Sequence, residues 1–184
     1  MSKRHLWAFW SLTASLALAS QVIHHLNIRI NITDSAPIGL WHVSREKADF
    51  RRSDLVEVCP PPAPAVSIMH DRGLLQVGPC TDDTTSLLKV IGAIEGDHVT
   101  VRKGENILVN GQELTNTSAV AALPSWPAGD LIIPAGHVWL VSTYSAGSFD
   151  SRYFGPVPVG NILGVASPVL VSGNVDLMRK GVRS

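Results

Sequence analysis

The sequence predicts a mainly β domain, a barrel or coiled sheet, preceded by an apolar N-terminal helix. Three observations carry this. The 184 residues include 15 Gly and 12 Pro, which fall after residue 36 and punctuate the body too often for a helical bundle. Short apolar segments recur between those punctuation points, at the spacing of an all-β barrel or coiled sheet. The chain opens with Lys3-Arg4 followed by an apolar run from Leu6 to Ala19, which a basic end and an apolar core define as an export signal.

In chain order, residues 1–26 read as a signal-anchor or a signal peptide, and 27–184 as one folded domain. The basic end stays in the cytoplasm, so the body is translocated. Continuing the run through Ile23 approaches the ~20 residues of a bilayer span, and Trp7 and Trp10 suit an interfacial belt. Ala17-Leu18-Ala19 also reads as a cleavage site. The two readings imply an inner-membrane protein with its domain in the periplasm, or a soluble periplasmic one.

Leu55–Val58 alternates as a short strand and ends on Cys59 and three prolines; Pro60–Val66 then reads as a loop. Leu87–Ile94 is an apolar run broken only by Lys89. Residues 97–101 and 107–111 form a hairpin around Lys103-Gly104, and Asn110-Gly111 begins a second turn. Residues 131–133, 138–141 and 162–166 supply further strands, and Asn116–Ala128 reads as a long excursion. Cys59 and Cys80 stand alone in loops beside proline or glycine. In an exported chain that pattern reads as a disulfide rather than a metal pair, the other reading being two free thiols.

Composition excludes some functions. Net charge is zero, from 15 basic and 15 acidic residues, so the concentrated basic face of a nucleic-acid binder is not indicated. Charged residues make up 16% of the chain, below the ~25% of soluble domains, which points to contact with lipid or a broad apolar surface. The seven histidines form no HExxH or HxH spacing, and no GxSxG elbow supports a Ser–His–Asp triad, so neither a metal nor another cofactor is implied.

Three segments carry chemistry. Ser35 lies in Thr33-Asp34-Ser35-Ala36-Pro37, where proline and Gly39 hold a turn that leaves a hydroxyl exposed. Lys89 is flanked by apolar residues, and burial would favour its neutral amine, a general base. Ser148-Phe149-Asp150-Ser151-Arg152 puts Asp150 and Arg152 two apart on an extended segment, able to pair or brace a loop. Taken singly, each has a plain alternative: a polar turn, a solvated strand lysine, a surface ion pair.

In order, these segments resemble the type I signal peptidase family, and most closely its conjugative-transfer branch, the TraF-type peptidases that mature pilin precursors. The resemblance runs from about Asn31 to Pro168 and rests on TDSAPIGLW, SDLVEVCPP, LLKVIGAIEGDHV and SFDSRYFGPVP with ILGVA. It implies a membrane-associated serine endopeptidase of signal-peptidase-like fold, with Ser35 as nucleophile and Lys89 as base. Thr33 falls where a hydroxyl assists the oxyanion hole, and Ser148 where one orients the lysine. Asp150 and Arg152 match the bracing pair, and in the conjugative branch Asp150 is needed more directly, as a catalytic residue with Ser35 and Lys89. Cys59 and Cys80 resemble that branch as well. The implied partners are the cytoplasmic membrane and a pilin-like precursor with small residues before the cut. Two departures stand out. Ala36 replaces the usual Met after the serine, and Val141–Ser145 stands where general-secretory members carry GDNR. A non-enzymatic assembly factor of a secretion apparatus is the reading of a different class.

Overall fold

A computed structural model describes residues 3–46, 49–120 and 123–182. The apolar N-terminal run forms one helix, α1 (Lys3–His25). Its Trp7, Phe9, Trp10, Leu12, Leu16 and Leu18 side chains are exposed. Polar residues dilute it, with Ser11 and Thr13 bonding back to the carbonyls of Ala8 and Trp10. Among the described residues no helix is long and apolar enough to cross a membrane.

In the body, the strand pairings among the described residues are all antiparallel. Strands β1 (Ile28–Asn31) and β2 (Ile38–Ser44) form a hairpin with Ile30 opposite Leu40. After β3 (Leu55–Val58) come a helix α2 (Pro64–Asp71), a 3₁₀ turn at Thr81–Asp83, and β4 (Leu87–Ile94). A smaller group follows: β5 (His98–Val101), β6 (Leu108–Val109), β7 (Gln112–Glu113) and β8 (Gly129–Ile132). The chain then returns through β9 (His137–Val141), a one-turn helix α3 (Ser151–Phe154), β10 (Val157–Pro158), β11 (Ile162–Ser172) and helix α4 (Val175–Lys180). The large sheet has the order β1-β2-β11-β3-β4-β9-β10, and the small one β7-β6-β5-β8. Irregularities between Ile91 and Ala93 and between Pro168 and Leu170 help curl the large sheet into a half-barrel.

Both faces of the centre of that sheet are covered. One core joins Trp41, Val90, Trp139 and Val141 to the small sheet's Val99, Val101 and Val109. The other lies across the sheet, where Val56, Val58, Ile91 and Leu140 meet Ala65 and Val66 of α2 and the rings of Phe149, Tyr153 and Phe154. Strand β4 is therefore buried on both sides along most of its length. Glycine admits one close strand crossing: a Cβ at Gly39 would strike the Leu170 carbonyl of β11.

Most sequence-predicted strands stand where expected, and the Asn110-Gly111 turn has both residues at positive φ, 51° and 81°. Three readings are corrected. Pro60–Val66 is not all loop, because Pro64 opens α2, where its fixed φ and missing N–H suit the first turn. Asp150 and Arg152 are not on an extended segment: Asp150 caps α3 and accepts the Arg152 backbone N–H. Strand β11 continues beyond Ala166 to Ser172 because it pairs with β3 and then with β2. Positions 121 and 122 of the 116–128 excursion lie outside the described residues.

Candidate active site

The turn between β1 and β2 carries Ser35. Its shape is set by Asn31, a buried residue at the end of β1. The Asn31 amide donates to the carbonyls of Thr33, Ala36 and Pro37 at 2.9, 2.9 and 3.2 Å. Its Oδ1 accepts the Thr33 hydroxyl at 3.0 Å and the Thr33 N–H at 3.3 Å. Thr33 Oγ1 in turn lies 3.2 Å from Ser35 Oγ. Because Oδ1 can only accept, the Thr33 proton points to Asn31, and Ser35 is then the donor to Thr33. From the other side, Ser142 at the end of β9 donates its hydroxyl to the Ser35 carbonyl at 2.7 Å. Neither Asn31 nor Ser142 was singled out in the sequence. The Asn31-x-Thr33 spacing was a legible Asx signal; the Ser142 contact, 107 residues from Ser35, was not.

Lys89 sits on β4 with Leu87 and Ile91 on the same side of the strand, toward α2 and α3. A strand lysine normally turns to water; here both faces are covered, and Lys89 is 1% exposed. Its Nζ donates to Ser148 Oγ at 2.8 Å. Burial pushes its pKa down from 10.5 to about 8; the Asp150 carboxylate opposes that fall, Arg152 adds to it and Asp34 opposes it.

Ser148 belongs to a loop that Arg152 locks. The fully buried guanidinium grips Asp150 at two points, 2.7 Å each. It also donates to the carbonyls of Ser148 (2.8 Å), Ser118 (2.9 Å) and Ala146 (3.0 Å). Burial would lower the Arg152 pKa, but its hydrogen bonds and charge attraction to Asp150 outweigh that and leave it raised. Asp150 has a second function, since its Oδ2 accepts the Ser142 N–H at 3.0 Å. The bracing pair thus ties the lysine's loop to the serine's turn.

Ser35, Thr33, Lys89 and Ser148 all line one cleft of about 610 Å³. Cys59 and Cys80 form a disulfide, with Cα atoms 5.5 Å apart. Among the described residues no cluster of three or more His, Cys, Asp or Glu side chains is placed to hold a metal ion. The structure brings Thr33, Ser35, Lys89 and Ser148 into one cleft and ties Asp150 and Arg152 to it through Ser142 and Ser148, while the Cys59–Cys80 disulfide is a separate feature.

A turn-borne hydroxyl and a buried amine thus share one cleft of a curled antiparallel sheet, and the sequence as a whole places the chain among peptidases of the signal peptidase type. The chain belongs to the family described as signal peptidase, peptidase S26, whose model matches residues 2–171. It is 35% identical over 176 residues to a conjugal transfer protein TraF of Agrobacterium fabrum, covering 92% of this chain and 97% of that one. A probable conjugal transfer protein TraF of Sinorhizobium fredii is 37% identical over 146 residues, 77% of this chain and 76% of its own length. A plasmid transfer protein TraF of Escherichia coli is 32% identical over 148 residues, 77% and 82%. A crystal structure of a signal peptidase I from Enterococcus faecalis covers 66% of this chain and 98% of its own, at 18% identity and a TM-score of 0.38.

Proposed function

We propose that the protein is a serine endopeptidase of the cell envelope that processes exported precursors through a Ser35–Lys89 dyad. The observation that carries the reading is the buried Lys89 amine, held by Ser148 in the cleft that also holds Ser35, where burial lowers its pKa toward about 8 and so favours the neutral base. Neutral Lys89 takes the Ser35 proton as Ser35 Oγ attacks the scissile carbonyl. The Ser35 backbone N–H has no acceptor among the described residues, which leaves it free for the oxyanion. Thr33 joins it once its hydroxyl turns from Asn31. The protonated amine then delivers its proton to the leaving nitrogen, and a water activated by the same amine releases the acyl group. Lys89 and Ser35 line the same cleft, and the proton transfer requires them to come within hydrogen-bond reach when substrate is bound. Asp150 acts by holding Ser142 and Arg152 and through its charge on Lys89, a structural and electrostatic role.

The conjugal transfer names of the relatives support a role in a conjugative transfer system; the family resemblance adds a pilin-like precursor with small residues before the cut, and cyclisation if the substrate's own amine replaces water. Residues 1–26 are assigned as the membrane-associated segment and 27–184 as the periplasmic catalytic domain; the exposed apolar side chains of α1 support this division. The test is mass analysis of a co-expressed pilin precursor. Wild type should convert it, and Ser35→Ala and Lys89→Ala should not. Unchanged conversion in either variant rejects the dyad.

A further inference from the structure

The segment between the two half-cystines is unused by the chemistry above, yet it is built into the site. Cys59 directly follows β3, whose Val58 pairs with Leu87 of β4, and Cys80 stands shortly before β4 begins. The disulfide therefore closes the segment at the root of the strand that carries Lys89. Inside the loop, Ala65 and Val66 of α2 are buried with Phe149 and Tyr153, the neighbours of Ser148 and Arg152. The return stretch folds back on itself. Val77 bridges Thr84, the Gly78 N–H donates to the Asp83 carbonyl (2.8 Å), and the Thr85 N–H donates to the Gln76 carbonyl (2.8 Å). A covalent tie, a helix anchored in the core through Ala65 and Val66, and a hydrogen-bonded return leave this segment little freedom to move away.

To the cleft it presents Met69, Leu74, Leu75 and Gln76. Leu75 is anchored in the core, whereas Leu74 is 62% exposed. An apolar side chain held open to water on a fixed wall is covered at no ordering cost when an apolar group enters. Ile30 and Ile32, half-exposed or more on the serine's side, line the same cleft. Val77, equally apolar and 78% exposed, is outside the cleft, so exposure on this loop is not in itself the signal.

We propose that the disulfide-closed segment 59–80 is the specificity-determining wall of the cleft, and that Leu74, together with Met69, receives an apolar side chain of the polypeptide substrate. The inference rests on the reading of Ser35 and Lys89 as the cleaving pair, and its test separates the two. The full chain is assayed on synthetic peptides with Ala-x-Ala before the cut, each carrying Ala, Leu or Asp at one varied position. In parallel, covalent labelling of Ser35 by an acylating inhibitor is read by mass. Wild type should favour Leu over Asp at one position. Leu74→Asp should raise KM for that Leu peptide about tenfold while kcat moves less than about threefold. Leu74→Met should restore the wild-type KM, and Val77→Asp should match wild type. If Leu74→Asp behaves as Val77→Asp does, or if labelled wild type does not select Leu over Asp, the wall is overturned and the dyad stands. If wild type takes no label at Ser35, the dyad is overturned, and the wall with it.

Discussion

Lys89 Nζ lies 2.8 Å from Ser148 Oγ, and the carbonyl of that same Ser148 is held at 2.8 Å by Arg152. One residue thus connects the buried amine to the most heavily bonded side chain of the domain. Ser148→Ala removes a hydrogen bond to a group that is charged or nearly so, worth about 1.5 kcal/mol. The expected result is a fall in kcat of about tenfold, with KM little changed, in steady-state kinetics. A fall confined to KM would show that Ser148 contacts substrate instead.

Lys89 makes two pH predictions. Activity should rise with pH through about 8, as the amine loses its proton, rather than through 10.5. Stability follows from the same depression. Between about 8 and 10.5 the unfolded chain binds the proton that the folded chain has shed, so stability increases with pH across that window. Below about 8 the cost of burying the charge is fully present. Lys89→Met should therefore be inactive yet more stable than wild type at pH 7, by up to about 3 kcal/mol. The gain should shrink toward pH 10 in urea titrations; a gain that does not depend on pH would contradict the burial account.

The Asp150–Arg152 pair is fully buried, so cutting it leaves an unpaired charge in the interior. Arg152→Met should cost about 3–5 kcal/mol in chemical denaturation. It also removes a positive neighbour that lowers the Lys89 pKa and leaves Asp150, which raises it, unopposed. In whatever fraction folds, the pH midpoint of activity should move upward from about 8. Asp150→Asn should move it the other way.

The Cys59–Cys80 bond closes a separation of 21 residues. Replacing both with Ser should lower stability by about 3 kcal/mol on the chain-entropy account. The same variant should melt at the same temperature with and without dithiothreitol, while wild type should melt lower in the reductant.

Much of this was legible in the sequence because the signals were local. The serine's turn announces itself through Pro37 and Gly39, the hairpins through Lys103-Gly104 and Asn110-Gly111, and the disulfide through two isolated loop cysteines. What could not be read was long-range. Nothing near Lys89 in sequence says that α2 and α3 cover one face of β4 and the small sheet the other, and its altered acidity depends on that. Ser142 looked like part of a stretch lacking a familiar motif, and its value lies in the carbonyl of Ser35 far along the chain. Helix α2 was hidden because a proline-rich stretch reads as loop, although Pro64 in a first turn starts a helix. The Asp150–Arg152 pair was found by residue type, while its cap geometry came only from the fold.

The most direct test of the dyad is the pH dependence of Ser35 acylation, followed by intact-mass and peptide mass spectrometry with an acylating inhibitor. The account predicts one adduct on Ser35, forming at a rate that rises through pH about 8 in wild type, absent in Ser35→Ala and slowed at least a hundredfold in Lys89→Met. An adduct on another residue, or equal rates in wild type and Lys89→Met, would contradict it.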